Sequence, residues 1–241
     1  MLRCSLCLII AISFFALAQP QGTLDTVQTR GELSCGVSDL VPGTLVKTED
    51  GGLEGFYTEF CRALAAAILG DKEAVVYIPL SPVERFRALQ AGEADIVVGG
   101  VTVTSSADAS FNFGPVVFHE GKQPHAPAIR AGDDTWQDVV NWVIHALIQA
   151  EEWGLTSANI EAVAGTVDAP ALKRFLGLEP EAPSFYNLDK DALYSTILQV
   201  GNYGEIYERH LGPNATLSLP RGANQLWSEG GRLFAPPFSA R

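Results

Sequence analysis

The stretch "FGPVVFHEGKQPHAPAIRAGDD", residues 113–134, decides how the rest of this 241-residue chain is read. Two apolar, strand-like runs, Pro115 to Phe118 and Ala126 to Ile129, are joined by the polar residues His119 to His125. On its N-terminal side the pattern alternates between strand and helix, and on its C-terminal side it becomes helical. The join is therefore either a small polar site or a seam in the fold.

N-terminal to the join, Leu33-x-Cys35-x-Val37 alternates as a half-buried strand does. Phe56, Phe60, Leu64 and Ile68 then recur every four residues and Gly70 follows, which predicts an amphipathic helix with a glycine stop. A second apolar run, Ala74 to Leu80, leads into Ser81-Pro82-Val83-Glu84, where serine and glutamate can close a capping box. That helix is expected to end at Ala91 before Gly92, and Ala94 to Val98 reads as a buried strand entering Gly99-Gly100. The order β-α-β-α-β argues for an α/β fold with a largely parallel sheet covered by helices.

C-terminal to the join, Trp136, Val139, Val140, Val143 and Leu147 form a long helical stripe. Shorter helices are expected at about 157–164, 169–176 and 190–200, with Asp168 and Asp189 as caps. No internal repeat or linker divides the chain, so a single domain with a helical C-terminal half is expected.

At the N-terminus, Met1-Leu2-Arg3 is followed by an uncharged apolar run from Cys4 to Ala18 ending in Ala16-Leu17-Ala18, which reads as a secretory signal peptide over residues 1–18. The run is shorter than the roughly 20 residues a membrane-spanning helix needs, so export to the periplasm is expected. Removing it takes one of the 16 Lys+Arg, leaving 15 against 28 Asp+Glu, a net −13. Such a surface repels nucleic acid and anionic lipid. Cys35 and Cys61 remain as an even pair in an oxidising compartment and are expected to form a structural disulfide.

His119, Glu120, His125 and Asp133-Asp134 lie close together but show no metal-ligand spacing, and Pro124 and Pro127 stiffen the loop, so no metal is expected. There is no G-x-S-x-G elbow, and His145 and His210 fall within helical patterns, with His145 read as a satisfied packing residue. Gly99-Gly100 is not followed by a phosphate-loop lysine. Neither an enzyme nor a cofactor is expected.

Several stretches resemble the polar amino-acid solute-binding proteins of ABC transporters, bacterial extracellular solute-binding proteins of family 3, and within them the general L-amino-acid-binding subgroup. They are LDTVQTRGELSCGVS (24–38), GFYTEFCRALAAAILGD (55–71), YIPLSPVERFRALQAGEADIVVGGVTVT (77–104) and NFGPVVFHEG (112–121) in the first half. In the second half GDDTWQDVVNWVIHALIQAEEWGLTSANIE (132–161), RFLGLE (174–179), GNYGEIYERHLG (201–212) and RGANQLWSEGGRLFAPPF (221–238) carry it further. The resemblance implies two α/β lobes joined by two hinge strands, with the second lobe inserted between them. Here the outgoing and returning strands are separated only by His119 to His125. The expected organisation is thus one solute-binding lobe over residues 19–241, with 19–118 and 126–241 joined by 119–125 where a lobe of roughly a hundred residues is absent.

The resemblance also implies a solute site, and Ser38, Thr102 and Ser105 are its candidate contacts. The arginine that holds the ligand's carboxylate in this family has no counterpart in Thr102-Val103-Thr104-Ser105-Ser106-Ala107-Asp108, and Tyr57 stands at the expected acidic position, with Glu59 nearby. A micromolar site has about −8 kcal/mol to spend, and losing an arginine–carboxylate pair removes about 2–5 kcal/mol. Binding of a free amino acid is therefore expected at millimolar level at best. The implied partners are a small polar solute, an ABC transporter permease, and a second copy whose facing lobe would rebuild a cleft. The competing expectation is a single-lobe interaction or regulatory module that no longer binds amino acids.

Overall fold

The computed structural model describes residues 22–38, 44–48, 51–179 and 188–238, so the expected signal peptide lies outside the described residues. Helix α1 (Thr23–Arg30) leads into β1 (Leu33–Val37), and a short antiparallel pair, β2 (Val46–Lys47) and β3 (Leu53–Glu54), precedes α2 (Thr58–Leu69). There follow β4 (Val75–Pro79), α3 (Glu84–Ala91), β5 (Ile96–Val98), the one-turn helix α4 (Ser105–Asp108) and β6 (Phe111–Phe113). The seam supplies β7 (Phe118–Glu120), β8 (Gln123–His125) and β9 (Ala128–Arg130). The chain then turns helical through α5 (Asp134–Glu152), α6 (Ile160–Ala164), α7 (Pro170–Phe175), α8 (Ala192–Val200) and α9 (Tyr203–His210).

A five-stranded sheet in the order β4-β1-β5-β9-β6 organises these elements. Strand β1 pairs in parallel with β4 and β5, while β9 runs antiparallel to both β5 and β6. Alternation sorts the side chains between two faces. Leu33, Cys35, Val37, Ile96, Val98 and Ile129 join the larger core with α2, α5, α8 and α9, whereas Val97 and Ala128 join a smaller one with α3. Gly36 serves the smaller face, because a Cβ there would meet Leu80 and Val97 at 2.7 and 2.8 Å.

The helical stripes behave as the spacing predicts. Trp136, Val139, Val140, Val143 and Leu147 of α5 are fully buried, and Gly70 closes α2 in the left-handed region with its N–H on Ala66 O. Ser81 and Glu84 exchange the two hydrogen bonds of a capping box. The predicted caps Asp168 and Asp189 do not serve. Ala169 and Asp191 occupy those positions without a side-chain cap bond, and the Asp168 carboxylate accepts from Lys173 Nζ at 3.1 Å instead.

At the seam the ladder differs from the expected pair of runs. Gly114 N–H donates to Pro127 O and Val117 N–H to His125 O, so the runs do lie side by side. Regular pairing is displaced outward to Phe118–Glu120 against Gln123–His125, because Pro115 and Pro127 lack the N–H a continuous ladder needs. Residues 119–125 thus belong to a tight hairpin turning at Gly121-Lys122, with Gly121 at φ 60°.

Candidate functional site

Ser38 follows β1 and Gly99-Gly100 follow β5, so both lie on the edge of the sheet where parallel strands leave the core. In α/β folds that edge is where ligands bind. Gly99 adopts φ 95° and a Cβ there would meet Ser38 O at 2.1 Å, so the two strand ends are packed backbone to backbone. Ser38 is consequently only 5% exposed. Beyond Gly100, Thr102 forms an isolated antiparallel bridge to His125, and Val103 N–H donates to Pro124 O at 3.1 Å. The hairpin is therefore stitched onto this edge.

Its fastening is a buried polar chain. The Tyr57 hydroxyl lies 2.9 Å from His125 Nδ1, and both residues are 2% exposed. Tyr57 Oη also accepts from the Gly100 N–H. Which of the two donates is set by the histidine tautomer, and the other ring nitrogen, Nε2, lies 3.6 Å from Glu120 Oε2. Burial raises the Tyr57 pKa. Burial lowers that of His125, with Arg85 acting in the same sense and Glu120 against it.

Arg85 of α3 is the residue here that the sequence reading overlooked. Its Nε and Nη1 are enclosed without a hydrogen-bond partner among the described residues, and its guanidinium carbon lies 4.9 Å from the Phe86 ring centroid. Burial lowers its pKa. Arg87, two residues on, instead forks onto Glu93 at 2.8 and 3.0 Å. The available signal was periodicity, since Arg85 stands one helical turn before the fully buried Leu89.

The other predicted residues separate. Thr102 is half-buried beside His125, while Ser105 is exposed on the first turn of α4, whose cap is Thr104 accepting from Ala107 N–H at 3.3 Å. Ser38 faces inward. Glu59 is turned away from this edge and buried on α2, where it accepts from Arg209 Nη1 at 2.8 Å and contacts His210 Nε2 at 3.0 Å. Burial alone would raise its pKa, yet the His210 hydrogen bond and the charges of Arg209, His210 and Arg62 hold it below the usual carboxylate value.

Cys35 and Cys61 form a disulfide within the larger core. Asp133 is taken up as the cap of α5, accepting from Trp136 N–H at 3.0 Å and Thr23 N–H at 2.7 Å. No group of three His, Cys, Asp or Glu able to hold a metal ion occurs among the described residues. His145 is not a satisfied packing residue as the sequence suggested, since its Nδ1 is enclosed and has no partner among the described residues. No helix among the described residues is long and apolar enough to cross a membrane.

The profile of the bacterial extracellular solute-binding proteins, family 3, matches residues 33–213. The glutamate/glutamine/aspartate/asparagine-binding protein BztA of Rhodobacter capsulatus is 29% identical, with 92% of this chain and 94% of that protein covered. The general L-amino acid-binding periplasmic protein AapJ of Rhizobium johnstonii is also 29% identical, over 92% of this chain and 94% of its own length. Among solved structures, a periplasmic binding protein of an ABC transporter from Brucella ovis, with glutathione bound, superposes with a TM-score of 0.86 at 27% identity, covering 91% of this chain and 100% of that one. The alignment to the Rhodobacter protein runs over 319 positions against a chain of 241, so at least 78 of them (319 less 241) have no residue of this chain opposite.

Proposed function

Because the chain belongs to the bacterial extracellular solute-binding proteins of family 3, we propose that it is an exported, non-catalytic binding component of an amino-acid ABC uptake system. It holds a small polar solute on the strand-end edge and presents it to a membrane permease. The observation that carries this reading is Arg85 in the first turn of α3, which follows the end of β4, with Nε and Nη1 lacking a hydrogen-bond partner among the described residues; a guanidinium is the group type that recognises a carboxylate. The family's usual arginine position is empty, and Arg85 takes over its charge from a different helix.

We place the whole chain in one lobe. The hairpin of residues 118–125 stands where the second lobe would be inserted, and the excess length of the aligned relatives supports that organisation. With one wall of the cleft gone, affinity falls from the micromolar to the millimolar range, a loss of about 4 kcal/mol.

Isothermal titration of the purified chain with a mixture of L-amino acids tests this, at protein concentrations that detect millimolar binding. Saturable heat is the expected result. No heat with any component overturns the reading. Light scattering in the same samples distinguishes a single lobe from two copies facing across the edge.

A further inference from the structure

Independently of which solute the chain holds, we infer that Asn224 of the C-terminal segment closes the open edge of the hairpin and so shields it from strand addition by a second copy of this chain.

Main-chain groups explain why that edge needs closing. His119 stands opposite Pro124 in the hairpin, and Pro124 has no N–H to offer, while its carbonyl accepts from Val103 N–H. Both main-chain groups of His119 therefore face away from β8. An outward N–H and C=O on one strand residue form a template for a further strand. They are also self-complementary, since two copies related by a two-fold axis at His119 would exchange the pair of bonds that an antiparallel ladder makes.

In the folded chain a side chain takes the place of that strand. Asn224 Oδ1 accepts from His119 N–H at 2.6 Å, and Asn224 Nδ2 donates to His119 O at 3.3 Å. Just before β7 the Tyr203 hydroxyl donates to Val117 O at 2.8 Å, so the next carbonyl along this edge is taken as well. Asn224 is itself buried and held in place. Arg221 Nε and Nη2 donate to its main-chain carbonyl at 3.2 and 2.9 Å, and the same guanidinium forks onto Glu151 of α5.

Packing alone does not close the edge. A cavity of about 430 Å³ lies between residues 118–121 and 219–224. The Asn224 amide is the group that reaches across to the His119 main chain, and without it the donor and acceptor stand open beside that space.

Amide hydrogen exchange read by NMR, together with light scattering over a range of concentrations, tests this on the full chain, on Asn224→Ala and on Asn224→Ala/His119→Pro. In wild type the His119 amide is expected to be protected although no strand lies beside it. Asn224→Ala should speed its exchange by about tenfold or more and raise the mass above that of wild type as concentration increases. Adding His119→Pro removes the outward donor and should return the mass to the wild-type value. A wild-type His119 amide that exchanges like an unstructured one overturns the closure by Asn224, whatever the variants do. An Asn224→Ala chain that keeps the wild-type mass, or whose association survives His119→Pro, overturns the second copy as the strand that is kept out. Asn224→Ser, smaller but still polar, repeats both measurements if the alanine chain fails to fold. None of these readouts depends on a bound solute, so failure of the solute-binding reading leaves them intact.

Discussion

The Tyr57 hydroxyl and His125 Nδ1 meet at 2.9 Å, a buried bond that ties the N-cap of α2 to a hairpin residue 68 positions away in sequence. The bond satisfies a buried ring nitrogen beside Phe118, which packs edge-on against Phe56 and Tyr57. It is a fold contact and a site contact at once.

Tyr57→Phe removes the hydrogen-bond partner of His125 Nδ1 and the acceptor of the Gly100 N–H while preserving the ring. Leaving enclosed polar atoms unpaired is expected to cost about 1–3 kcal/mol. Urea unfolding at pH 7.5 measures it. A midpoint equal to wild type would mean that water replaces the hydroxyl.

Acid should destabilise the fold through its histidines. Burial pushes His145 down to about 4, against about 6.5 in an unfolded chain. Between those values the unfolded state binds a proton that the folded state refuses, so the stability is full above pH 6.5 and is lost as the pH falls toward 4. His119 and His125 are lowered in the same direction, burial being the first cause for each. Thermal unfolding from pH 7 to 4.5 should show a falling midpoint, and His145→Gln should flatten the slope. An unchanged slope would contradict the assignment.

Reduction of Cys35–Cys61 releases a closed loop with a sequence separation of 26 from the centre of the larger core. On the chain-entropy account a loop of this size contributes about 3–4 kcal/mol. Guanidinium unfolding of the Cys35→Ala/Cys61→Ala chain beside the oxidised protein should show a loss of that order. A loss below about 1 kcal/mol would show that the unfolded chain is already constrained here.

Gly99→Ala strains both the backbone, at φ 95°, and the packing, since the new Cβ falls 2.1 Å from Ser38 O. The strand ends must part to admit it. The expected outcome is a loss of about 2–3 kcal/mol together with weaker solute binding. A stable Gly99→Ala chain that binds like wild type would remove Ser38 and the strand-end packing from the site.

Much of the architecture was written in local pattern. The alternation at Leu33-x-Cys35-x-Val37, the four-residue stripe of α2 with Gly70 behind it, the Ser81–Glu84 box and the apolar face of α5 each specify their own element, because period and capping are properties of neighbouring residues. Helix α1 shows where that ends. It buries only Thr23, Leu24 and Val27, and its first N–H is met by Asp133, 110 residues away, so no local signal announced it. The seam was recognisable as a seam, but its hairpin register was not, since that depends on which N–H groups remain once Pro115 and Pro127 have removed theirs.

The site divides the same way. The sequence by itself determined the family likeness and the strand ends carrying Ser38 and Thr102, and it led to the expectation of a Cys35–Cys61 disulfide, which the structure contains. Only the tertiary structure decided that Ser38 is packed away, that the buried Glu59 carboxylate serves Arg209 and His210, and that Tyr57, Glu120 and His125 converge. Burial and charge pairing are set by elements distant in the chain, and whether an arginine finds a partner is settled only when those elements pack.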